Sequence, residues 1–503
     1  VSSASGASRP ASRDEPGARG EALGLDATVP IRGRLTVPGS KSLAQRALVC
    51  AGLCGGTTRI VGLSTGEDVS AALALVAACG ARVDRVTPAA VSIVGVPPGP
   101  HRGWEPRAPL DADESGTLAR LATAALALCG RAGRAYEIRG RGSLQRRASG
   151  ALFTALSRAG IVFESPGGEP VRSPGGELIT SHGDERKSSA GGEPLAEVQR
   201  WPVRLRPIGP PSRIEIVDPR SSQEVSALLI ALSAYPDAIE LSVRGEIPSR
   251  PYLEMTLGVL REFGVVVARS RSRDGEVFDV RGPLAERDAP FAIEPDASSA
   301  AVALAAACLS NGELVVPRLD ARSCQGDVRV VEHLARFGCI ATADDSGLYA
   351  AGLPAQAADI DLAGEPDLAP VLAAVAASVA RRVQRGELEG AGVTHLTGLE
   401  TLPGKESSRI AVLGEGLQAI GLEVDVTDDA LSIAPGAVKS AGELGEIVLD
   451  PRGDHRMAFA FALFGLVRPR VFVRDPQCVA KSWPRFWRDL ESLGARVEHM
   501  ALA

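Results

Sequence analysis

Aromatic residues are scarce in this chain, at 4% of the total. Base stacking on aromatic platforms is therefore a poor fit. Positive charge is not in excess either: 55 Lys and Arg face 61 Asp and Glu, a formal net charge of −6. A binder of phosphate backbones needs the opposite sign, which argues against nucleic acid as a partner. No Cys-x-x-Cys or Cys/His cluster occurs among the eight cysteines, and several (Cys50, Cys54, Cys79, Cys129, Cys308) lie inside apolar runs. That spacing argues against zinc and for buried, reduced thiols in a cytoplasmic protein. No uninterrupted apolar run is long enough to span a bilayer, so no membrane partner is expected. The first 20 residues lack a hydrophobic segment and carry Asp14 and Glu15. They read as a disordered tail rather than a targeting peptide.

What is present fits a globular protein: 45% apolar and 23% charged residues over 503 positions. That length exceeds one ordinary core and predicts two domains. Abundant Ala, Gly and Val suit short helices packed closely on sheets. One pattern recurs six times: a polar cluster, an alanine-rich helical run, a small turn and a β-branched strand. The clusters are Ser40-Lys41-Ser42, Glu114-Ser115-Gly116-Thr117, Ser221-Ser222-Gln223, Asp296-Ala297-Ser298-Ser299, Glu365-Pro366-Asp367 and Asp454-His455-Arg456. Each falls at a predicted helix N-terminus, where free N–H groups and the helix dipole attract anions.

The predicted helices are 42–54, 117–129, 223–234, 299–309, 367–381 and 456–467, with strands after them at 57–61, 135–138, 238–243, 313–316, 393–396 and 470–473. Second helices follow at 68–79, 150–159, 252–263, 327–337, 410–420 and 482–493, each closed by a glycine before another strand. The reading is therefore helix–strand–helix–strand six times over, three per domain. Residues 164–200, with two Pro-Gly-Gly-Glu copies beginning at Pro166 and Pro174, break the rhythm and read as a flexible surface insertion.

The clusters resemble those of the EPSP synthase family, the 3-phosphoshikimate 1-carboxyvinyltransferases. The likeness rests on Val37-Pro38-Gly39-Ser40-Lys41-Ser42-Leu43-Ala44-Gln45-Arg46, Ser115-Gly116-Thr117-Leu118-Ala119-Arg120, Ser221-Ser222-Gln223 and Pro248-Ser249-Arg250-Pro251-Tyr252. It continues through Asp296-Ala297-Ser298-Ser299, Gln325-Gly326-Asp327, Pro366-Asp367, Lys405-Glu406-Ser407-Ser408-Arg409, Asp454-His455-Arg456 and Lys481, in the family's order. The resemblance implies a two-domain inside-out α/β barrel of six βαβα-type subdomains. One domain would comprise 21–38 with 294–503, the other 39–293. The first strand, about 35–37, would join the former.

The resemblance also implies a reaction. The 5-hydroxyl of 3-phosphoshikimate attacks C2 of phosphoenolpyruvate, a tetrahedral intermediate forms and phosphate leaves, with no metal or organic cofactor. Carried over by position, Asp367 accepts the hydroxyl proton, and Glu406 is the acid/base at C3 with Lys41 assisting. Lys41, Ser42, Arg46, Ser221, Ser222, Gln223, Ser249, Tyr252, Asp367 and Lys405 would bind 3-phosphoshikimate. Lys41, Gly116, Gln223, Arg409, Arg456 and Lys481 would bind phosphoenolpyruvate. Two phosphates and two carboxylates need several cations, which these residues supply. A monomer is the default, since a cleft that opens and closes requires no partner.

Three positions depart from the family pattern. Glu114 and Thr401 each replace an asparagine, and alignment on Gly140 and Gly150 puts Ser143 where the family has an arginine touching phosphoenolpyruvate. Arg141, Arg146 and Arg147 are the candidates to replace it. Gly116 keeps the small position that leaves room for glyphosate, but Glu114 and Ser143 beside it predict weakened glyphosate binding. The departures keep two alternatives open: a paralogous enolpyruvyl transferase with another alcohol acceptor, and a non-catalytic anion-binding relative.

Overall fold

The computed structural model describes residues 20–26, 28–164, 200–437 and 445–502. Nearly all of the expected N-terminal tail and of the 164–200 insertion lies outside the described residues.

Six central helices fix the architecture: α1 (Lys41–Leu53), α2 (Gly116–Cys129), α3 (Ser222–Leu232), α4 (Ala297–Leu309), α5 (Ala369–Gln384) and α6 (His455–Val467). They are apolar on nearly every side, and such helices belong in the interior. Every residue of α2 but Thr117, of α3 but Gln223 and of α4 but Ser298 is buried. The exceptions fall in the first turn, so each helix is submerged except at its N-terminus.

Six four-stranded sheets wrap these helices. In the third unit, Arg213–Val217 runs parallel to Ile239–Arg244, which pairs antiparallel with Gly275–Arg281, and that strand with Val266–Ser272. A parallel neighbour demands a crossover, and α3 supplies it. The helix Arg250–Glu262 then leads to the outer hairpin. The unit is thus richer than helix–strand–helix–strand by two strands. The hairpins turn in two residues, at Arg273–Asp274 in this unit and Asp345–Ser346 in the fourth.

Two hydrophobic cores result, one drawn from residues between Leu43 and Ile293, the other from Leu23–Val37 and Ala297–Ala495. Strand exchange closes each lobe. Phe291–Ala292 returns to pair with Thr57–Val61 of the first unit. Arg32–Arg34 pairs with Glu313–Val316 of the fourth, so the strand expected at about 35–37 joins this lobe but lies a few residues earlier. Glu21–Asp26 fills the middle of the sixth sheet, between Val471–Arg474 and Arg496–Ala501.

Other boundaries shift for local reasons. The helix expected from Asp367 starts as a 3-10 turn at Pro366–Leu368, because Pro370 lacks the N–H that a regular helix would bond to the Pro366 carbonyl. The helix expected over 482–493 is shorter, Phe486–Glu491, and a 3-10 turn, Pro476–Lys481, precedes it.

The chain crosses between the lobes twice, side by side. Ser40 N donates to Glu294 O and Asp296 N to Pro38 O, both at 2.8 Å. A side chain has no room here, since a Cβ on Gly39 would lie 1.9 Å from the Gly62 carbonyl oxygen. Gly39→Ala is expected to destabilise the protein by about 1–3 kcal/mol, measured as a lower urea midpoint with an unchanged slope.

Candidate active site

The N-termini of the inner helices meet at the junction of the lobes. They are capped so that their polar residues stay in place: Ser40 accepts from Leu43 N, Ser115 from Leu118 N, Ser221 from Gln223 N and Asp454 from Arg456 N. The fifth end differs, because Asp367 sits in a 3-10 turn and caps nothing. Its carboxylate is free to face a cavity of about 530 Å³.

Lys41, Ser42, Gly116, Ser221, Ser222, Gln223, Ser249, Tyr252, Asp367, Lys405, Glu406, Arg409 and Arg456 all line this cavity. Arg46 does not. It lies beneath, giving hydrogen bonds to Thr256 Oγ1 and to the carbonyls of Ser42 and Tyr252. Lys481 sits at the edge, 3.8 Å from Glu406 and 3.7 Å from Glu114.

Arg409 is the hub. Buried at the start of the helix Arg409–Ala419, it reaches Asp454 through Nε at 2.8 Å, Asp367 through Nη1 at 2.8 Å and Glu406 through Nη2 at 2.5 Å. Asp367 also meets Arg456 at 3.0 Å, Lys405 at 3.3 Å and the Tyr252 hydroxyl at 3.0 Å. Among the described residues, four pairs of side chains make polar contacts between the lobes: Tyr252 to Asp367, Arg147 to Glu406 at 3.0 Å, Lys481 to Glu114, and Lys41 Nζ to His455 Nε2 at 3.3 Å. Lys41 also pairs with Asp68 at 2.9 Å. An ammonium only donates, so His455 accepts on Nε2 and carries its proton on Nδ1.

Burial alone would raise both carboxyl groups. For Asp367 the charges of Arg456, Lys405 and Arg409 outweigh burial and hold it well below its ordinary value. For Glu406, Arg147, Arg409 and Lys481 do the same. Both are therefore ionised at neutral pH. His455 is pushed well below its ordinary value by burial and then by Lys41, so it is neutral. Burial lowers Lys405, against the opposing pull of Asp367.

A second layer steadies these groups. Glu365, fully buried two residues before Asp367, accepts from Arg329 at 2.8 Å and lies 2.9 Å from His333 Nε2. Ser298 joins the fourth helix end to the site: its hydroxyl bonds Asp327 and accepts from Arg456 at 3.0 Å.

The departures take a physical form. Ser143 lines the cavity with its hydroxyl unpaired, and Arg147, four residues on, brings the guanidinium to Glu406. Arg141 points away to Asp113 at 3.0 Å. Of the three candidate arginines, Arg146 and Arg147 line the cavity, and the 3-10 turn Gly142–Arg146 presents Arg147 at its end to Glu406. Glu114 does not line the cavity; its carboxylate lies 3.7 Å from Lys481, which also donates to the Glu114 carbonyl at 3.4 Å. Thr401 lines the cavity with Oγ1 unpaired. Arg120, quoted in the sequence motif but given no role there, donates to Gln223 Oε1 at 3.1 Å and lines the cavity.

Comparison with known proteins follows the same lines. A family model described as EPSP synthase (3-phosphoshikimate 1-carboxyvinyltransferase) matches residues 25–194 and 196–490. The 3-phosphoshikimate 1-carboxyvinyltransferase of Methanopyrus kandleri is 32% identical over 94% of this chain and 98% of that protein. That of Pseudomonas savastanoi pv. phaseolicola is 31% identical over 93% and 96%. Among solved structures, EPSP synthase of Acinetobacter baumannii superposes with a TM-score of 0.69 at 22% identity, over 96% of this chain and all of that one. An enolpyruvyl transferase of Streptomyces tendae gives 0.65 at 15% identity, covering 96% and 100%. These two show the shared two-domain inside-out α/β fold.

The charge network predicts acid sensitivity. Carboxylates with depressed values contribute stability above their unfolded values near ~4, and lose it as pH falls towards the folded values. Neutral His455 adds a loss beginning below its unfolded value near ~6.5. Asp327, raised to about 7 chiefly by burial, acts in the opposite sense between about pH 7 and 4. Thermal midpoints should therefore fall chiefly below about pH 4. In Glu406→Gln the midpoint at pH 7 should be lower, but its further drop towards pH 3 smaller than in the parent.

Proposed function

The chain belongs to the EPSP synthase family, and on that premise we propose how its own residues transfer the enolpyruvyl group of phosphoenolpyruvate to the 5-hydroxyl of 3-phosphoshikimate with release of phosphate. One observation carries the assignment: two buried, ionised carboxylates, Asp367 and Glu406, share Arg409 inside a cavity ringed by cations.

In this reading 3-phosphoshikimate lies against Lys41, Ser42, Ser221, Ser222, Gln223, Ser249, Tyr252 and Lys405. Arg46 serves indirectly, by holding the backbone of Ser42 and Tyr252. Phosphoenolpyruvate lies among Lys41, Gly116, Gln223, Arg409, Arg456 and Lys481, and Arg147 joins this group. The anionic substrates compete with Asp367 and Glu406 for the same cations. As cations turn to phosphate and carboxylate oxygens, the two side chains regain proton affinity. Asp367 then accepts the 5-hydroxyl proton as that oxygen bonds to C2. Glu406, which takes up a proton from solvent as its cations turn to the substrates, delivers that proton to C3, with Lys41 assisting. In the second half Glu406 takes a proton back from C3 as the C2–O bond to phosphate breaks. Fixed donors around the intermediate hold its charge.

Closure supports this chemistry by excluding water, and the four contacts between the lobes are of the kind a closed cleft makes. We further read the protein as a cytoplasmic monomer. The monomer rests on the cleft needing no partner to open and close. The cytoplasmic reading is in keeping with cysteines that form no disulfide among the described residues, where no helix is long and apolar enough to cross a membrane.

Asp367→Asn and Glu406→Gln should each lower kcat by about 10²–10⁴-fold while calorimetry still detects 3-phosphoshikimate binding. Normal turnover by either variant refutes its role. Normal turnover of 3-phosphoshikimate by the parent excludes a different acceptor, and binding without phosphate release would favour a non-catalytic relative. Arg147→Ala should raise KM for phosphoenolpyruvate by about tenfold or more and leave that for 3-phosphoshikimate unchanged. Glu114 draws on the charge of Lys481, so Glu114→Asn should tighten both phosphoenolpyruvate and glyphosate, read as a lower KM and a lower inhibition constant.

A further inference from the structure

In the cavity Arg120, Arg147, Arg409 and Arg456 find carboxylates, carbonyls or other side-chain acceptors. Two arginines at the far end of the lobe that holds Arg409 find one carbonyl each. Arg381 lies in the last turn of α5 and Arg468 directly follows α6. They are 6% and 4% exposed. Arg381 Nη1 donates to Ile420 O at 2.7 Å, and Arg468 Nη2 to Gly445 O at 3.1 Å. Those bonds are what a cation near helix carbonyl ends is expected to make. They leave Arg381 Nε, and Arg468 Nε and Nη1, buried with no acceptor among the described residues.

Buried charged donors are normally paired, and an unpaired set calls for an absent partner. Burial, with the like charges of Arg385 and Arg468, pushes Arg381 down to about 10. Burial likewise lowers Arg468. Arg409 and Arg456 behave oppositely: carboxylates overcome their burial and raise them. Arg385 brings no carboxylate of use, since its partner Glu387 is exposed and 3.7 Å away.

We propose that Arg381 and Arg468 form a second anion site, which takes an oxyanion of the phosphate, sulfate or carboxylate class. It stands at the carboxyl ends of α5 and α6, whose amino ends present Asp367 and Arg456 to the cavity. At 1.5 Å per residue the two sites lie about 20 Å apart.

The test uses the full chain and its Arg381→Met and Arg468→Met variants. Thermal unfolding is followed across a sulfate titration. Sulfate entering the cavity acts alike on all three proteins, so differences between them report the distal site. Both variants should lose part of the sulfate-dependent rise in midpoint, with sulfate affinity at that site weakened by about tenfold or more, and keep kcat and both KM values. Crystals soaked in selenate should show an anomalous peak between the two guanidinium groups. If a variant fails to fold, the selenate map of the parent decides alone. Identical sulfate responses in parent and variants, or selenate confined to the cavity, would overturn the proposal. Neither readout depends on which substrates the cavity takes.

Discussion

Everything in this structure depends on one guanidinium. Arg409 sits 1% exposed with three carboxylates on it, from the loop before its own helix, from the turn before α5 and from the cap of α6. A charge at that depth is tolerated only when its hydrogen bonds are complete, and breaking a buried pair from one side typically costs about 3–5 kcal/mol. Asp367, Glu406 and Asp454 complete them. The same bonds that make Arg409 tolerable fix the positions and ionisation of the two carboxylates assigned to the chemistry. Stability and reactivity therefore draw on one set of contacts.

That set sits where it does because of the six inner helices. Their apolar surfaces leave them no place but the interior, and only their first turns keep polar groups. Sheets wrap the outside, strand exchange closes each lobe, and the helix amino ends are left facing the junction. A cavity assembled this way collects N–H groups, caps and cations together. Two anionic substrates would meet a site already balanced by internal carboxylates, and would act by displacing them.

Much of this was legible in the sequence. A helix predicted at 42–54 is observed at Lys41–Leu53, and the strands at 57–61 and 313–316 stand as expected. Local signals suffice there: a serine cap, a run of small apolar residues, then a glycine or a polar turn. Two strands of the third unit were missed, Arg213–Val217 and Gly275–Arg281, because only their pairing partners reveal them. Gly275–Arg281 takes its place from the hairpin with Val266–Ser272. At the site, helix-end residues were found from their clusters. Arg147 was left as one of three candidates, because a 3-10 turn and not residue count decides which side chain arrives. Arg46 was expected at the substrate, yet it spends its donors on Thr256 and two carbonyls. Sequence records that an arginine is there but not which way its hydrogen bonds run.

The central claim is that substrate anions take cations from Asp367 and Glu406 and thereby restore proton affinity to both carboxylates. Carbon-detected NMR of the carboxyl groups, in protein labelled at Asp and Glu and assigned with Asp367→Asn and Glu406→Gln, tests it directly. The two resonances would be titrated in the free protein and with 3-phosphoshikimate and inorganic phosphate bound together. The account predicts midpoints well below the ordinary carboxyl range in the free protein and a clear upward move of both on binding. Midpoints that stay depressed in the ternary complex would contradict it.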